Sequence, residues 1–259
     1  MAQNFIVWGV GELGQFFAGA ALRLGFRVTG IRRNDDYASI LRAVGPCPLL
    51  ISVGEDDLDN VLACVPAEFA DKLILVQNEL FPSAWLQHPQ IGSPTICVVW
   101  AVVKRLASAL VSPHPAQISG PLADLTARLH HTLGVDCRLL PHPHEALMLK
   151  YSYILTINTL GLRRDTSVGE WAHDDHKLEV MSLAGDAATL AAALAGVDAA
   201  EVDTGAMAAR VRAIMQVPTV AGYRAMGRTA QRRLERARVK AAALGILQLL
   251  PSLLASKDN

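Results

Sequence analysis

Short apolar runs that stop at glycine or polar residues alternate, over the first half of the chain, with longer stretches of mixed character. Phe5-Ile6-Val7-Trp8 ends at Gly9. Phe26–Ile31, Leu49–Val53, Leu73–Gln77, Thr95–Val103 and Arg138–Leu140 read as further strands. Between them Gln15–Leu24, Asp36–Val44 and Asp56–Cys64 have helical character. The first of these stops at Gly25, and glycine is a frequent residue just past a helix C-terminus. Strands alternating with helices of this length predict a parallel sheet covered by helices on both faces.

From about Glu145 the texture changes to long alanine- and leucine-rich stretches. Ala146–Leu162, Lys177–Leu194, Thr204–Met215 and Gly222–Leu244 all read as helices, and no strand is predicted after Leu140. The boundary is placed at Pro141-His142-Pro143, since a proline disfavours helical backbone in the residue before it and cannot extend a strand ladder. The expectation is an α/β chain: an N-terminal doubly wound parallel sheet of the Rossmann type over residues 1–141, then an all-helical C-terminal domain over residues 142–259.

Composition narrows the classes. With 24 basic and 24 acidic side chains the formal net charge is zero, which argues against a surface built to coat nucleic acid or an anionic membrane. Met1-Ala2-Gln3-Asn4 runs straight into the first strand, and no signal peptide is read there. Cys47, Cys64, Cys97 and Cys137 have no paired ligand spacing and read as reduced thiols of a cytoplasmic protein. The apolar tract Ala241–Ala255, broken by Gly245, Gln248 and Pro251, is too short to span a bilayer. The stretch Ala241–Leu254 is larger than a small helical domain readily covers, and the expectation is a homodimer built partly on these C-terminal helices.

The chemistry starts at Gly9-Val10-Gly11-Glu12-Leu13-Gly14, a G-x-G-x-x-G directly after a strand and opening a helix. In that context the first glycine permits a tight turn, the second lets backbone approach a pyrophosphate, and the third lets the helix lie close on the sheet. The helix N-terminus then receives the phosphate charge. The tip of the second strand carries Arg32 and Arg33, where an NAD-selective site would place a carboxylate for the ribose 2′-hydroxyl. A guanidinium there suits a 2′-phosphate, so NADP is the expected cofactor. The other reading of the same residues is a solvated loop in which Asp35 or Asp36 meets the ribose.

These features, with those that follow, resemble the ketopantoate reductase family, within the broader group of 6-phosphogluconate-dehydrogenase-like proteins. Leu75-Val76-Gln77-Asn78-Glu79-Leu80 is similar to the family's strand-end QNGLG segment, with Glu79 in place of a glycine. The resemblance implies that Gln77 and Asn78 lie near the cofactor, the asparagine beside the nicotinamide and substrate. Lys150-Tyr151-Ser152-Tyr153-Ile154-Leu155-Thr156-Ile157-Asn158 is similar to the family's catalytic helix, which repeats lysine, asparagine, asparagine at four-residue intervals. At 100° per residue, Lys150 and Asn158 fall on one helix face and are expected to face one cleft. In the family that lysine binds the carbonyl oxygen of the substrate and helps protonate it, so Lys150 and Asn158 are the catalytic candidates. Three positions depart from the pattern. Ile154 stands for the first helix asparagine, Gly54 for a lysine after a strand, and Thr229 for the family's late glutamate.

Other constellations are less specific. Arg224, Arg228, Arg232, Arg233, Arg236, Arg238 and Lys240 read as a solvated basic face or a clamp for an anionic ligand. His173-Asp174-Asp175-His176 reads as a helix start with its carboxylates at the dipole rather than as a metal site. His142 and His144 read as hinge or surface. The functional expectation is an NADPH-dependent reductase of a small anionic carbonyl compound. The alternative is a redox sensor or assembly partner that binds NADP without turnover.

Overall fold

The structure is a computed structural model that describes residues 3–100 and 112–254. It divides into two compact units, Met1–Pro143 and His144–Asn259. The first is an α/β unit of the Rossmann type and the second is helical.

In the first unit the elements run β1 (Asn4–Trp8), α1 (Glu12–Arg23), β2 (Arg27–Ile31), α2 (Tyr37–Val44), β3 (Leu49–Ile51), α3 (Leu58–Ala63), β4 (Leu73–Leu75), α4 (Pro82–Leu86), β5 (Thr95–Val98), β6 (Ala116–Ser119), α5 (Ala123–Thr132) and β7 (Cys137–Leu139). One sheet takes them in the order β2-β1-β3-β4-β5-β6-β7. Every pairing is parallel except that of β5 with β6. The central strands β3 and β4 are fully buried, as continuous apolar runs covered on both faces must be. Helix α1 buries Gly14, Phe17, Ala20 and Ala21, a single face at helical spacing.

Three elements of this unit, α4, β6 and α5, are absent from the sequence reading. Ala-Gln-Ile-Ser at 116–119 is too short and too little β-branched to stand out, and it is a strand because it lies between β5 and β7. Helix α5 carries two histidines in its last turn and one of them, His130, is entirely buried. The strand expected over Thr95–Val103 forms at Thr95–Val98, and its end at 101–103 lies outside the described residues.

The second unit contains α6 (His144–Arg163), α7 (Val168–Trp171), α8 (Lys177–Ala195), α9 (Thr204–Met215), α10 (Pro218–Ala221), α11 (Ala230–Ala243) and α12 (Pro251–Leu254). Helix α6 is buried on nearly every side, packed by α8, α9 and α11. Among the described residues the stretch Asp174–Ala195, which contains α8, is long and apolar enough to cross a membrane by length and composition. Here α8 is a packing helix, with Leu183, Ala187, Leu190 and Ala191 fully buried against its neighbours.

The single helix expected over Gly222–Leu244 is a correction. Residues 222–229 are non-helical and α11 starts at Ala230. The reason is a competing set of backbone partners. The Val168 N–H donates to Tyr223 O (2.7 Å) and the Ala225 N–H to Thr166 O (2.9 Å), making a one-residue antiparallel bridge. Gly161 of α6 lets this segment lie flat on the helix, since a Cβ there would meet Met226 N at 2.2 Å.

The core histidine of the first unit gives a pH prediction. His130 Nδ1 lies 2.8 Å from Thr126 O, an acceptor only, so Nδ1 carries the proton. The bare Nε2 then faces Cys97 Sγ at 3.5 Å, and the ring meets Phe17 edge-on. Burial holds the His130 ring below its usual 6.5. The unfolded chain takes up this proton at the ordinary value and the folded chain resists it, so stability is full above about 6.5 and is lost as pH falls below it. The melting temperature of the wild type should therefore drop more steeply between about pH 7 and 5.5 than that of His130→Gln. Parallel pH slopes in a calorimetric series would show that His130 is not the titrating group.

Candidate functional site

The turn after β1 is built from three glycines with three separate duties. Gly9 has φ +100°, and a Cβ there would meet the Ser52 carbonyl carbon at 2.7 Å. A Cβ at Gly14 would sit 2.1 Å from Gly9 O, so no other residue lets α1 start this close to the end of β1. Ser52, just past β3, donates its hydroxyl to the same Gly9 oxygen at 2.7 Å and ties the turn to the neighbouring strand. Gly11 differs, since a Cβ there would meet nothing within 4 Å. Nothing inside the protein requires glycine there, and the backbone at this point of the turn is left open. Gly11 is also the N-cap of α1 and no side chain caps it. A helix gives no intrahelical acceptor to the N–H groups of its first turn, which leaves a positive end suited to phosphate.

The turn opens on a cavity of about 480 Å³, within the range of small-molecule sites. Its walls come from three strand ends: Trp8–Gly11 after β1, Ile31–Arg33 after β2 and Ser52–Gly54 after β3, closed by Tyr37 of α2 and by Asp57, Asn60, Val61 and Cys64 around α3. β1 is flanked by β2 on one side and β3 on the other, so the chain reverses direction across it. A crevice at the carboxyl end of such a switch point is where open α/β sheets bind ligands. Gly30 in β2 completes the shape, because a Cβ there would strike the Val10 side chain at 2.8 Å.

Aromatic and polar contacts fix the walls. Trp8 and Tyr37 stack with ring centroids 5.0 Å apart, and the Tyr37 hydroxyl donates to Cys64 Sγ at 3.1 Å, which raises the phenol above its usual value. Arg32 and Arg33 both line the cavity. The Arg32 N–H donates to Asp35 Oδ2 (2.8 Å), which shapes the turn. Asp36 caps α2, accepting from the Ser39 N–H and hydroxyl, and these bonds hold its carboxyl below the usual value. The two carboxylates that could have met a ribose at the strand tip are thus spent locally. The Arg33 guanidinium reaches Asp57 at 2.8 Å.

The other candidates are placed differently. Glu12, Leu13 and Gly14 belong to the turn but do not line the cavity. Gln77 is buried just past β4, its amide donating to Ile51 O (2.9 Å) and accepting from the Val76 N–H (3.1 Å), so it braces adjacent strand ends. Asn78 is half-buried and donates its backbone N–H to Glu55 Oε1 at 2.8 Å. His173 pairs with Asp175, and among the described residues no cluster of three or more metal-ligating side chains forms.

In the helical unit Lys150 lies inside α6, which begins at His144, and is 7% exposed, with Nζ 5.9 Å from the Tyr153 ring centroid. Asn158, about two turns on, is also buried. Its Nδ2 donates to Ala225 O (3.3 Å) and its Oδ1 accepts from Arg233 Nη1 at 2.5 Å. Arg233, grouped in sequence with a solvated basic face or a clamp for an anionic ligand, is 5% exposed. The signal was present: Ala230, Leu234, Ala237 and Ala241 form the buried stripe of α11, and position 233 adjoins it. Thr229 is the N-cap of this helix.

The glycine duties separate in a paired substitution. Gly11→Ala should leave the melting temperature within about a degree and weaken dinucleotide binding at least tenfold, since its Cβ meets only the ligand. Gly14→Ala should lower the melting temperature by several degrees, because about 2 kcal/mol or more of overpacking falls inside the protein. Thermal melts and cofactor titrations on both variants check this, and Gly11→Ala binding like wild type would contradict it.

No family model matches the chain, and no curated protein matches it in sequence. Solved structures match in shape. A dimeric ketopantoate reductase from Staphylococcus aureus is 16% identical at TM-score 0.66, over 96% of this chain and 94% of that one. The complex of D-mandelate dehydrogenase with NADH is 12% identical at TM-score 0.68, over 96% and 94%. A 2-dehydropantoate 2-reductase from Geobacter metallireducens is 16% identical at TM-score 0.66, over 96% and 99%. The chain therefore has the fold that these ketopantoate reductases share with D-mandelate dehydrogenase.

Proposed function

We propose that the chain is an NADP(H)-dependent reductase of a small anionic carbonyl compound, such as a 2-keto acid. The observation that carries the reading is the side of Gly11 left open within a turn otherwise closed by Gly9, Gly14 and Ser52, beside a cavity lined by two arginines. The fold, shared with oxidoreductases, supports the same class. The backbone of Gly9–Gly14 holds the pyrophosphate, and Arg32 and Arg33 meet the 2′-phosphate. The bound dinucleotide supplies a hydride to the carbonyl carbon.

Lys150 then binds the carbonyl oxygen and gives up the proton that the developing alkoxide takes. Its burial strengthens this role, because water does not screen an ammonium held among α6 side chains. Asn158 orients the substrate through the amide hydrogen that its bond to Ala225 leaves over. The buried stripe of α11 carries no carboxylate among the described residues, and its one acid, Glu235, is exposed. The proton transfer is therefore assigned to Lys150 and not to a carboxylate of α11. A homodimer belongs to the same proposal. The C-terminal tract covers Ala241, Leu250 and Leu253 within the unit and leaves Leu244, Leu247 and Leu249 exposed.

The test is NADPH oxidation with a panel of 2-keto acids, wild type against Lys150→Met, with the chain sized by light scattering in the assay buffer. The substitution removes the charge and keeps the buried volume. Turnover with at least one keto acid is expected, with kcat/KM falling about 10²-fold or more in the variant while NADPH affinity holds. Full activity in Lys150→Met would remove the lysine from the mechanism. NADPH binding with no turnover across the panel would mark a dinucleotide-binding protein without this chemistry.

A further inference from the structure

Three charged side chains line the cavity of the first unit: Arg32, Arg33 and Asp57. Asp57 occupies the N-cap position of α3, where an aspartate ordinarily accepts from a backbone N–H of the first turn. It makes no such bond here. Its carboxylate extends to the guanidinium of Arg33 at 2.8 Å, passing within 3.9 Å of where a Cβ on Gly54 would lie. The side chains are 82% and 47% exposed, so the pair contributes little to holding the fold and is free to exchange partners. Asp35 and Asp36 are committed to the turn and the cap of α2. Asp57 is therefore the acid that lines the cavity, and it comes from the start of α3 rather than from the strand tip where such an acid is ordinarily sought.

We propose that Asp57 is a second determinant of cofactor choice, opposing the two arginines, so that the pocket accepts NADH as well as NADPH and separates them weakly. A 2′-phosphate must draw Arg33 away from Asp57 or share it, and it brings like charge toward the carboxylate. A cofactor with a free ribose meets neither cost, because the carboxylate accepts from a hydroxyl while still bonded to Arg33. Arg32 alone then supplies cationic charge that no side-chain acid of the cavity offsets. The inference rests on the dinucleotide reading of the cavity and adds to it a residue that the glycine turn and strand tip do not point to.

The experiment is fluorescence titration of NADPH and NADH into wild type, Asp57→Asn and Arg33→Ala, at about 20 mM and about 500 mM salt, where screening differs strongly. Asparagine keeps the shape and the capping capacity and removes only the charge. Wild type should favour NADPH modestly. Asp57→Asn should tighten NADPH about three- to fivefold at low salt and leave NADH within about twofold, the scale of an exposed charge pair. That gain should shrink at high salt, and Arg33→Ala should lose the NADPH preference. An unchanged NADPH-to-NADH ratio in Asp57→Asn, with binding intact, overturns the role of Asp57 and leaves the dinucleotide reading standing. A change of the same size at both salt concentrations overturns it too, since that marks altered shape rather than charge. Wild type that binds neither cofactor overturns both readings together.

Discussion

The approach of α1 to the end of β1 is the constraint on which the site depends. With the missing Cβ of Gly14 only 2.1 Å from Gly9 O, the first helix begins against the strand rather than beside it. The same oxygen accepts from Ser52, so β1, α1 and β3 meet at one atom. This brings a helix N-terminus, a strand-tip pair of arginines and the start of α3 around one cavity. Each of those groups is ordinary alone. Their convergence follows from a turn that only glycine can make, at a place where the sheet order reverses.

Much of this was legible in the residues. A glycine turn in its strand–helix context specifies local geometry strongly, and Gly9, Gly11, Arg32 and Arg33 line one cavity. The alternation of strand and helix and the change to helix after Glu145 follow from periodicity, which survives folding because burial enforces it. The walls were not legible. Trp8, Tyr37, Asp57, Asn60 and Cys64 come from three separate stretches, and only the sheet order brings them together.

The misreadings share a cause, which is tertiary partners overriding local preference. Residues 222–229 fall within the helix expected from the sequence, yet the backbone groups of 223 and 225 bond to 168 and 166, and Gly161 makes room for them. Arg233 lies among exposed arginines in sequence and is drawn inward by the amide of Asn158. Lys150, expected to face a cleft with Asn158, is buried because α6 is enclosed by three other helices of its unit.

The most direct measurement is hydrogen–deuterium exchange of the wild-type chain with and without NADPH, read peptide by peptide. Bound cofactor should slow exchange in three separated stretches at once, residues 9–15, 31–37 and 52–64, because they converge only at this cavity. The helices of the second unit that carry exposed leucines should change much less. Protection confined to any other region, or none at saturating NADPH, would contradict the assignment of this cavity to a dinucleotide.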